Sequence, residues 1–365
     1  MEPVTHLLTG ACLARAGFNR KTAYATVAMT LAAELPDLDT VWALRGPVAG
    51  FEHHRGWTHT LLGVPVGAAA VVGAIWLWHR WRRRRSEGVA GTGAGMSAGT
   101  KIAAGKKAGL PVRWGLLFGF CVVAVLSHLL LDWTNNYGLR PFFPFNARWY
   151  AGSFVFIFEP VMFALLVIGL VAPLLFGLVG SEVGARKVMF PGRGWAVFAL
   201  LSVALLWGWR GWERMTAERM ALAGDYGGVE ILRSTVSPYP VTPFTWHAVI
   251  ETAGFYQMAT VDTWNGTVAT TGQEDVFHKP AVTLAALAAK RSWLGRVYLD
   301  WSQYPVVTDG GPNQDGISEV SFRDLRFMYD VSVMHGRESP PLMGTALVDG
   351  DRRIVRMEMD GRVQR

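Results

Sequence analysis

Long apolar runs fill the first 212 residues, and the remainder of the chain has mixed polarity. Four runs are long and apolar enough to predict membrane-spanning helices, and they cover residues 61–78, 114–131, 154–177 and 195–209. Two shorter helical stretches, 5–16 and 22–35, come first, and each is below the roughly 20 residues that cross a bilayer core. They predict either tilted short spans or a helical hairpin that enters the membrane and returns.

The pattern changes from residue 226 onward. Short runs of β-branched and aromatic residues at 246–252, 255–263, 297–301 and 318–329, with a further pair around 349–351, predict strands. Asn265-Gly266 predicts a hairpin turn, and 281–290 a short helix. The predicted fold is an α-helical polytopic membrane domain over residues 1–212, followed by a small mostly-β (α+β) extracytoplasmic domain over residues 213–365.

The positive charge lies between the apolar runs. The chain has a formal charge of +7 and a mean hydropathy of +0.22. A linker over residues 80–113 holds nine basic residues, of which the central part, 86–109, predicts a flexible low-complexity segment. Its basic side chains are Arg80, Arg82, Arg83, Arg84, Arg85, Lys101, Lys106, Lys107 and Arg113. Nucleic-acid binding is disfavoured, since Trp81 is the only aromatic residue in this linker.

Cytoplasmic loops of membrane proteins are rich in lysine and arginine, so this linker is predicted to be cytoplasmic. Basic residues also occupy the turn near Arg20 and the connection near Arg193, which places the opposite helix ends, and everything after Trp212, outside the cytoplasm. Cys12 and Cys121 lie in separate apolar segments without CxxC spacing, so they predict buried small residues and no disulfide.

Three polar clusters lie on the predicted outer side, and we expect them to converge. Asp37 and Asp39 follow Pro36, a His/Arg-rich run covers 53–60, and His128 and Asp132 are four apart on one helix face. Ionisable residues beside membrane segments are costly and are usually functional. Mixed imidazole and carboxylate ligands suit zinc, with manganese or iron as alternatives, and two ions bridged by a carboxylate are possible.

Each cluster also has a simpler interpretation. Asp37 and Asp39 alone are typical of a helix cap and turn, and His128 with Asp132 of an orienting hydrogen bond. Arg55 is expected either to extend to the interface or to clamp an anionic group. We expect His53 to be a neighbour of the ligands and His79 to be interfacial, and we assign no role to the histidines of the β region, His247, His278 and His335.

Four separated motifs in the first 150 residues resemble the YdjM-type family of bacterial inner-membrane proteins, which are described as metal-dependent hydrolases. They are His6, Pro36-Asp37-Leu38-Asp39, His54-Arg55-Gly56-x-Thr58-His59, and Ser127-His128-x-x-Leu131-Asp132 before Tyr137-Gly138. Thr60 departs from the family, in which serine is common, but it keeps a hydroxyl. Pro243-Phe244-x-Trp246 and Glu251-Thr252 resemble the extension of longer members. The resemblance implies an inner-membrane location and strengthens the prediction of a metal site.

The sequence therefore predicts a membrane metallohydrolase whose site faces away from the cytoplasm. One carboxylate, Asp37 or Asp39, could act as general base, with Glu34 a weaker candidate, and Arg55 could clamp the substrate. The expected partners are the lipid bilayer and a small-molecule or lipid substrate, of phosphoester or lipid-derived type. The predicted metal ligands are His6, Asp37, Asp39, His54, His59, His128 and Asp132.

Two other functional classes are consistent with the same residues. A cation transporter would place acidic groups near mid-membrane, whereas here they lie at the ends of the apolar runs. A metal-binding membrane scaffold would use the same ligands without catalysis. If the β domain were the working part and the helices an anchor, the His/Asp constellation would have no explanation.

Overall fold

The computed structural model describes residues 1–91, 110–182, 190–240, 242–270, 275–329 and 340–365. The predicted flexible segment 86–109 therefore lies largely outside the described residues, as does His335. Two short helices begin the chain, α1 (Pro3–Ala16) and α2 (Ala25–Glu34). They pack closely, because a Cβ at Gly10 would lie 2.6 Å from the carbonyl oxygen of Met29. Each is shorter than a full span.

The helical half continues with a 3₁₀-helix at Leu35–Arg45, α3 (Pro47–His53), a 3₁₀-turn at Trp57–His59, and α4 (Gly63–Gly91). Three long helices follow, α5 (Trp114–Thr134), α6 (Pro160–Glu182) and α7 (Arg193–Leu222). By length and composition, three segments of the described chain can cross a membrane, and Pro47–His59 with Gly63–Arg85, bent by 85°, is a fourth if it counts as one broken span.

Three boundaries of the predicted spans are wrong. The first span does not end at 78, because helix α4 continues to Gly91. The third span does not begin at 154, because residues 154 and 155 donate their backbone N–H groups to Thr134 and helix α6 starts only at Pro160, where a proline fits the first turn. The fourth does not end at 209. Helix α7 continues to Leu222 through good helix formers such as Ala217 and Met220, and so crosses the predicted boundary at residue 212.

Two antiparallel five-stranded sheets make up most of the second half. The first contains β1 (Arg233–Pro238), β2 (Thr245–Glu251), β3 (Phe255–Asp262), β4 (Thr267–Ala269) and β5 (Val276–His278), the last pairing with β3. The second has the order β10-β9-β8-β7-β6, formed from β6 (Pro305–Pro312), β7 (Ser318–Asp324), β8 (Gly344–Val348), β9 (Ile354–Met359) and β10 (Arg362–Val363). The predicted turn at Asn265-Gly266 does join two strands, and Gly266 has φ +67°.

Two short helices precede the second sheet, α8 (Leu284–Arg291) and α9 (Trp293–Trp301). The strand predicted at 297–301 is wrong, because α9 is capped by Ser292 and buries Leu294, Tyr298 and Trp301 on one face. The strand predicted at 318–329 ends at Asp324, where a 3₁₀-turn begins.

The sheets pack directly on the helices. Val236 and Trp246 of the first sheet share a core with Ala217 and Ala221 of α7. On the other side, Val48 and Phe51 of α3 pack in the core of the second sheet and α9. The β region therefore adjoins the segment that carries the predicted site residues.

Candidate metal centre

The three predicted polar clusters and His6 meet at one end of the helical half. His6 lies near the start of α1, and Asp37 and Asp39 lie in the 3₁₀-helix that follows Pro36. The chain then turns at Arg55, which has φ +55°, and this turn returns His59 toward the two aspartates. His128 and Asp132 come from the last turns of α5. Residues more than 90 positions apart are thus brought together, as the sequence predicts.

Four of these residues can surround a single ion, and we refer to them as the central tetrad: Asp37, His59, His128 and Asp132. The Nε2 atoms of His59 and His128 are 3.0 Å apart. Asp132 Oδ2 lies 3.3 Å from the first and 3.4 Å from the second. Asp37 Oδ1 lies 3.3 Å and 3.6 Å from the same two atoms. Ligands at about 2.0–2.1 Å from a tetrahedral zinc are roughly 3.3 Å apart, so the spacing fits such an ion.

The hydrogen bonds of the two histidines indicate which nitrogen faces the centre. His128 Nδ1 is 2.7 Å from the carbonyl oxygen of Ala33, to which only an N–H can donate. His59 Nδ1 is 3.1 Å from Asp39 Oδ2. In the neutral imidazoles both Nε2 lone pairs then point at each other, an arrangement that a cation between them stabilises. Metal-bound histidines characteristically donate their second nitrogen to a carbonyl or carboxylate. The buried cluster could therefore hold a metal ion.

Further buried polar groups surround Asp132. Its Oδ2 and both ring nitrogens of His6 lack a hydrogen bond among the described residues. His6 stacks on His128 with ring centroids 3.7 Å apart, and its Nε2 is 3.5 Å from Asp132 Oδ1. The amino group of Met1 contacts the same oxygen. Buried atoms without partners are costly, and an ion at the centre would satisfy at least Asp132 Oδ2.

Asp39 and His54 form a second group with Asp37, again within ion-binding distance of one another. Asp39 Oδ1 is 3.1 Å from His54 Nδ1, and its Oδ2 accepts from Arg55 N and Thr58 Oγ1, both at 2.9 Å. Burial raises the pKa of Asp39, but hydrogen bonds from His54 and His59 outweigh it and hold the pKa below its usual value. For Asp37, burial is likewise outweighed by His59 and His128, and its pKa falls to about 2. Both are therefore carboxylates at neutral pH.

Arg55 is only 4% exposed, so its side chain is buried within the protein. Its guanidinium donates to Asp132 Oδ1 at 2.7 Å and to the carbonyl oxygen of Gly138 at 2.8 Å, and it lies over the Tyr137 ring. It also donates to Asn135 Oδ1 at 3.2 Å. Sequence reasoning gave Asn135 and Thr58 no role, although Asn135 opens a polar pair directly after α5 and Thr58 lies inside the His/Arg-rich motif.

Four other histidines of the described chain lie outside the tetrad and the group of Asp37, Asp39 and His54. His53 stacks on Trp42 at 4.0 Å, as a neighbour of the ligand-bearing turn. His79 contacts the hydroxyl of Tyr24, 2.9 Å away. His247 and His278 belong to strands of the first sheet.

Comparison with known proteins identifies a family for this chain. The model of the YdjM inner membrane protein family matches residues 1–217, which include every residue of the tetrad. The chain belongs to the YdjM family. A curated relative is the uncharacterized protein YfhP of Bacillus subtilis (strain 168), 24% identical over an alignment of 178 residues that covers 45% of this chain and 43% of that protein. The match thus spans less than half of the relative's length. No solved structure matches.

Proposed function

We propose that this YdjM-family protein is a membrane-bound metal-dependent hydrolase, with its site at the extracytoplasmic face and a phosphoester or lipid-derived substrate. The observation that carries the proposal is the pair of Nε2 atoms 3.0 Å apart, each in a histidine whose other nitrogen is oriented by a carbonyl or carboxylate. Two carboxylates complete the set of ligands. A divalent ion bound there would supply Lewis-acid activation of a phosphoester and of water.

The residues of the site take different roles in this proposal. The tetrad holds one ion, for which zinc suits the ligands best, and Asp37 could bridge to a second ion held with Asp39 and His54. Of the two candidate bases, Asp37 is more exposed than Asp39, at 11% against 3%, and is the better placed of the two to contact water. Asp39 also positions His59 through its contact with Nδ1. His6 stacks on His128 and is a further candidate ligand for the same ion.

Arg55 combines two roles in the proposal. Its terminal nitrogens balance the charge of Asp132 and fix the loop after α5. Its Nε is buried and has no hydrogen-bond partner among the described residues. This N–H is left for an anionic substrate group, which favours a phosphoester.

The proposed side of the membrane rests on charge. The tetrad lies beside the start of α4, and five arginines lie near residue 85 of the same helix. Twenty-two residues of helix separate Gly63 from Arg85, about 33 Å, which is close to the thickness of a bilayer core. Because arginine-rich ends stay in the cytoplasm, the site would face outward.

Metal analysis of the purified full-length protein tests this function. We expect one or two divalent ions per chain, their loss in His128→Ala and in Asp132→Ala, and retention in the control His53→Ala. A phosphoester screen should detect turnover that chelation abolishes and zinc or manganese restores. If chelation unfolds the protein and no substrate turns over, the ion has a structural role only, and the enzyme proposal fails. Metal-dependent cation flux in proteoliposomes without turnover would instead indicate a transporter.

A further inference from the structure

An apolar groove lies beside the metal centre. It has a volume of about 440 Å³ and is enclosed by α4, α5 and the start of the 3₁₀-helix 35–45. Its α4 wall consists of positions 63, 66, 67 and 70, which lie on one helix face, and the distance from Gly63 to Ala70 is roughly 11 Å. A Cβ at Gly67 would lie 2.7 Å from Leu35 Cδ2, so glycine permits the close approach of Leu35 that forms the opposite wall.

The groove and the metal centre share neighbouring residues. Pro36 and Thr58 line the groove, and each immediately precedes a tetrad residue, Asp37 or His59. Val125 also lines it and lies about one helical turn before His128. Thr58 is the one polar side chain in the lining, and its hydroxyl donates to Asp39. Three of the four proposed ligands therefore have a near neighbour along the chain in the groove lining, which places the groove beside the metal centre.

The groove is open along α4. Val66, on α4, is 69% exposed, and Leu62, in the turn just before α4, is 48% exposed, although both side chains are apolar. In a bilayer such side chains face hydrocarbon and not water. A ligand that entered from the membrane could therefore slide its apolar part along α4 toward the ion.

We infer that this groove binds a single aliphatic chain of a phosphate-bearing lipid, with the phosphate at the metal centre. The inference rests on the proposed function for the position of the phosphate, and on the groove itself for the chain. The volume is near the lower end of the usual 300–1,000 Å³ of ligand pockets, which suits one chain and not two. The anionic head group meets the cation and the remaining Arg55 N–H, while the apolar lining receives the tail.

Photo-crosslinking tests the chain site without requiring turnover. The probe is a lysophosphatidic acid with a diazirine in its acyl chain, added to the metal-loaded full-length protein in phosphatidylcholine nanodiscs. We expect saturable labelling at groove positions of α4, displaced by unlabelled lysophosphatidic acid but not by glycerol phosphate at the same concentration. Ala70→Phe fills the groove and should weaken labelling about tenfold, the loss expected from displacing about two methylene groups. The control Ala69→Phe is exposed on the same helix but outside the lining, and should label like the wild type.

The outcomes separate this inference from the enzyme proposal. Labelling that spreads evenly over the lipid-facing helices without saturation, or that Ala70→Phe leaves unchanged, means ordinary lipid solvation and overturns the groove. Saturable groove labelling in a protein that turns over no phosphoester would leave the groove standing and reject the hydrolase. Turnover of glycerol phosphate together with absent groove labelling would support the hydrolase and reject the groove.

Discussion

Asp39 shows how a residue beside a metal site can matter as much as a ligand. Its Oδ2 accepts from Thr58 and from the backbone of Arg55, and lies 3.1 Å from His59 Nδ1. These contacts fix both the tautomer and the ring orientation of His59, so that Nε2 points at the tetrad. Partners that orient a metal-binding histidine in this way tune the affinity of the site.

Replacing Asp39 by Asn should therefore weaken metal binding without removing a tetrad residue. The amide nitrogen of Asn must face either the donors at Oδ2, whose hydrogen bonds are then lost, or His54, whose imidazole must then change tautomer to accept. In either orientation the charge that orients His59 is removed. We expect the affinity for zinc to fall about 10–100-fold, as measured by competition with a chelator of known affinity. Thr58→Ser keeps the hydroxyl and should bind like the wild type. Unchanged affinity with lost turnover would instead identify Asp39 as the general base.

The loop after α5 connects the site to the second sheet. Arg326 donates to the carbonyl oxygen of Asn136 at 2.7 Å, and Trp301 Nε1 donates to that of Tyr137 at 3.2 Å. Asn136 in turn donates to the hydroxyl of Tyr329. The same loop supplies Asn135 and Gly138 to Arg55. The β region thus supports the guanidinium that balances the charge of Asp132.

Arg326→Ala tests this support. Arg326 and Asp324 are both 1% exposed and pair at 2.8 Å, so the variant leaves a buried carboxylate without its partner. Breaking such a pair costs about 3–5 kcal/mol, which we expect in the free energy of unfolding measured in detergent, together with weaker metal binding. In the control Arg356→Ala, which removes an exposed pair with Glu358, the change should be below about 1 kcal/mol. Normal metal binding in a destabilised Arg326→Ala would show that the loop holds its shape alone.

His247 gives the first sheet a dependence on pH. It is 3% exposed, and its Nε2 is 2.8 Å from the carbonyl oxygen of Leu325. Burial lowers the pKa of His247, although the Leu325 carbonyl and the charges of Asp275 and Asp324 act in the opposite direction. Below pH 6.5 the unfolded chain therefore binds a proton that the folded chain does not. The stabilising contribution is complete above pH 6.5 and is lost as the pH falls toward the lowered pKa.

The expected slope from His247 is at most about 1.4 kcal/mol per pH unit. Hydrogen exchange in β2 and β3, corrected for the intrinsic rate, should show protection decreasing from pH 7 to pH 5. His247→Gln retains a donor for Leu325 but cannot take up a proton, so its protection should change less, while the exposed His278→Gln should follow the wild type. Equal slopes in all three proteins would assign the acid sensitivity to other groups.

The success of sequence reasoning differed between these elements for physical reasons. The membrane helices could be predicted because a bilayer requires long apolar runs, and each of the four predicted spans overlaps one of the helices α4 to α7. Helix α9 could not, because its aromatic and β-branched end at 297–301 has the composition of a strand, and its helical period extends over nine residues. Asn135 contacts Arg55, and Thr58 contacts Asp39. In each pair the two residues are far apart in sequence, so no local pattern encodes the contact.

The whole chain places its polar site between two different supports. On one side are the apolar helices, including α4 and α5. On the other are the two sheets, which pack on α7 and α3, so the tetrad lies where the membrane part meets the β part. The arginines after Trp81 lie at the opposite end of α4. If these arginines are cytoplasmic, the tetrad and both sheets are outside the cytoplasm.

Single-cysteine labelling tests that arrangement, because the native thiols of Cys12 and Cys121 are buried and should react little. We expect a membrane-impermeant maleimide added to intact spheroplasts to label Gly310→Cys, which lies on an exposed strand position of β6, but not Arg84→Cys near the end of α4. After lysis, both positions should react, which controls for accessibility. The opposite pattern before lysis would place the site and the sheets in the cytoplasm, so that a substrate of the metal centre would have to come from the inner leaflet.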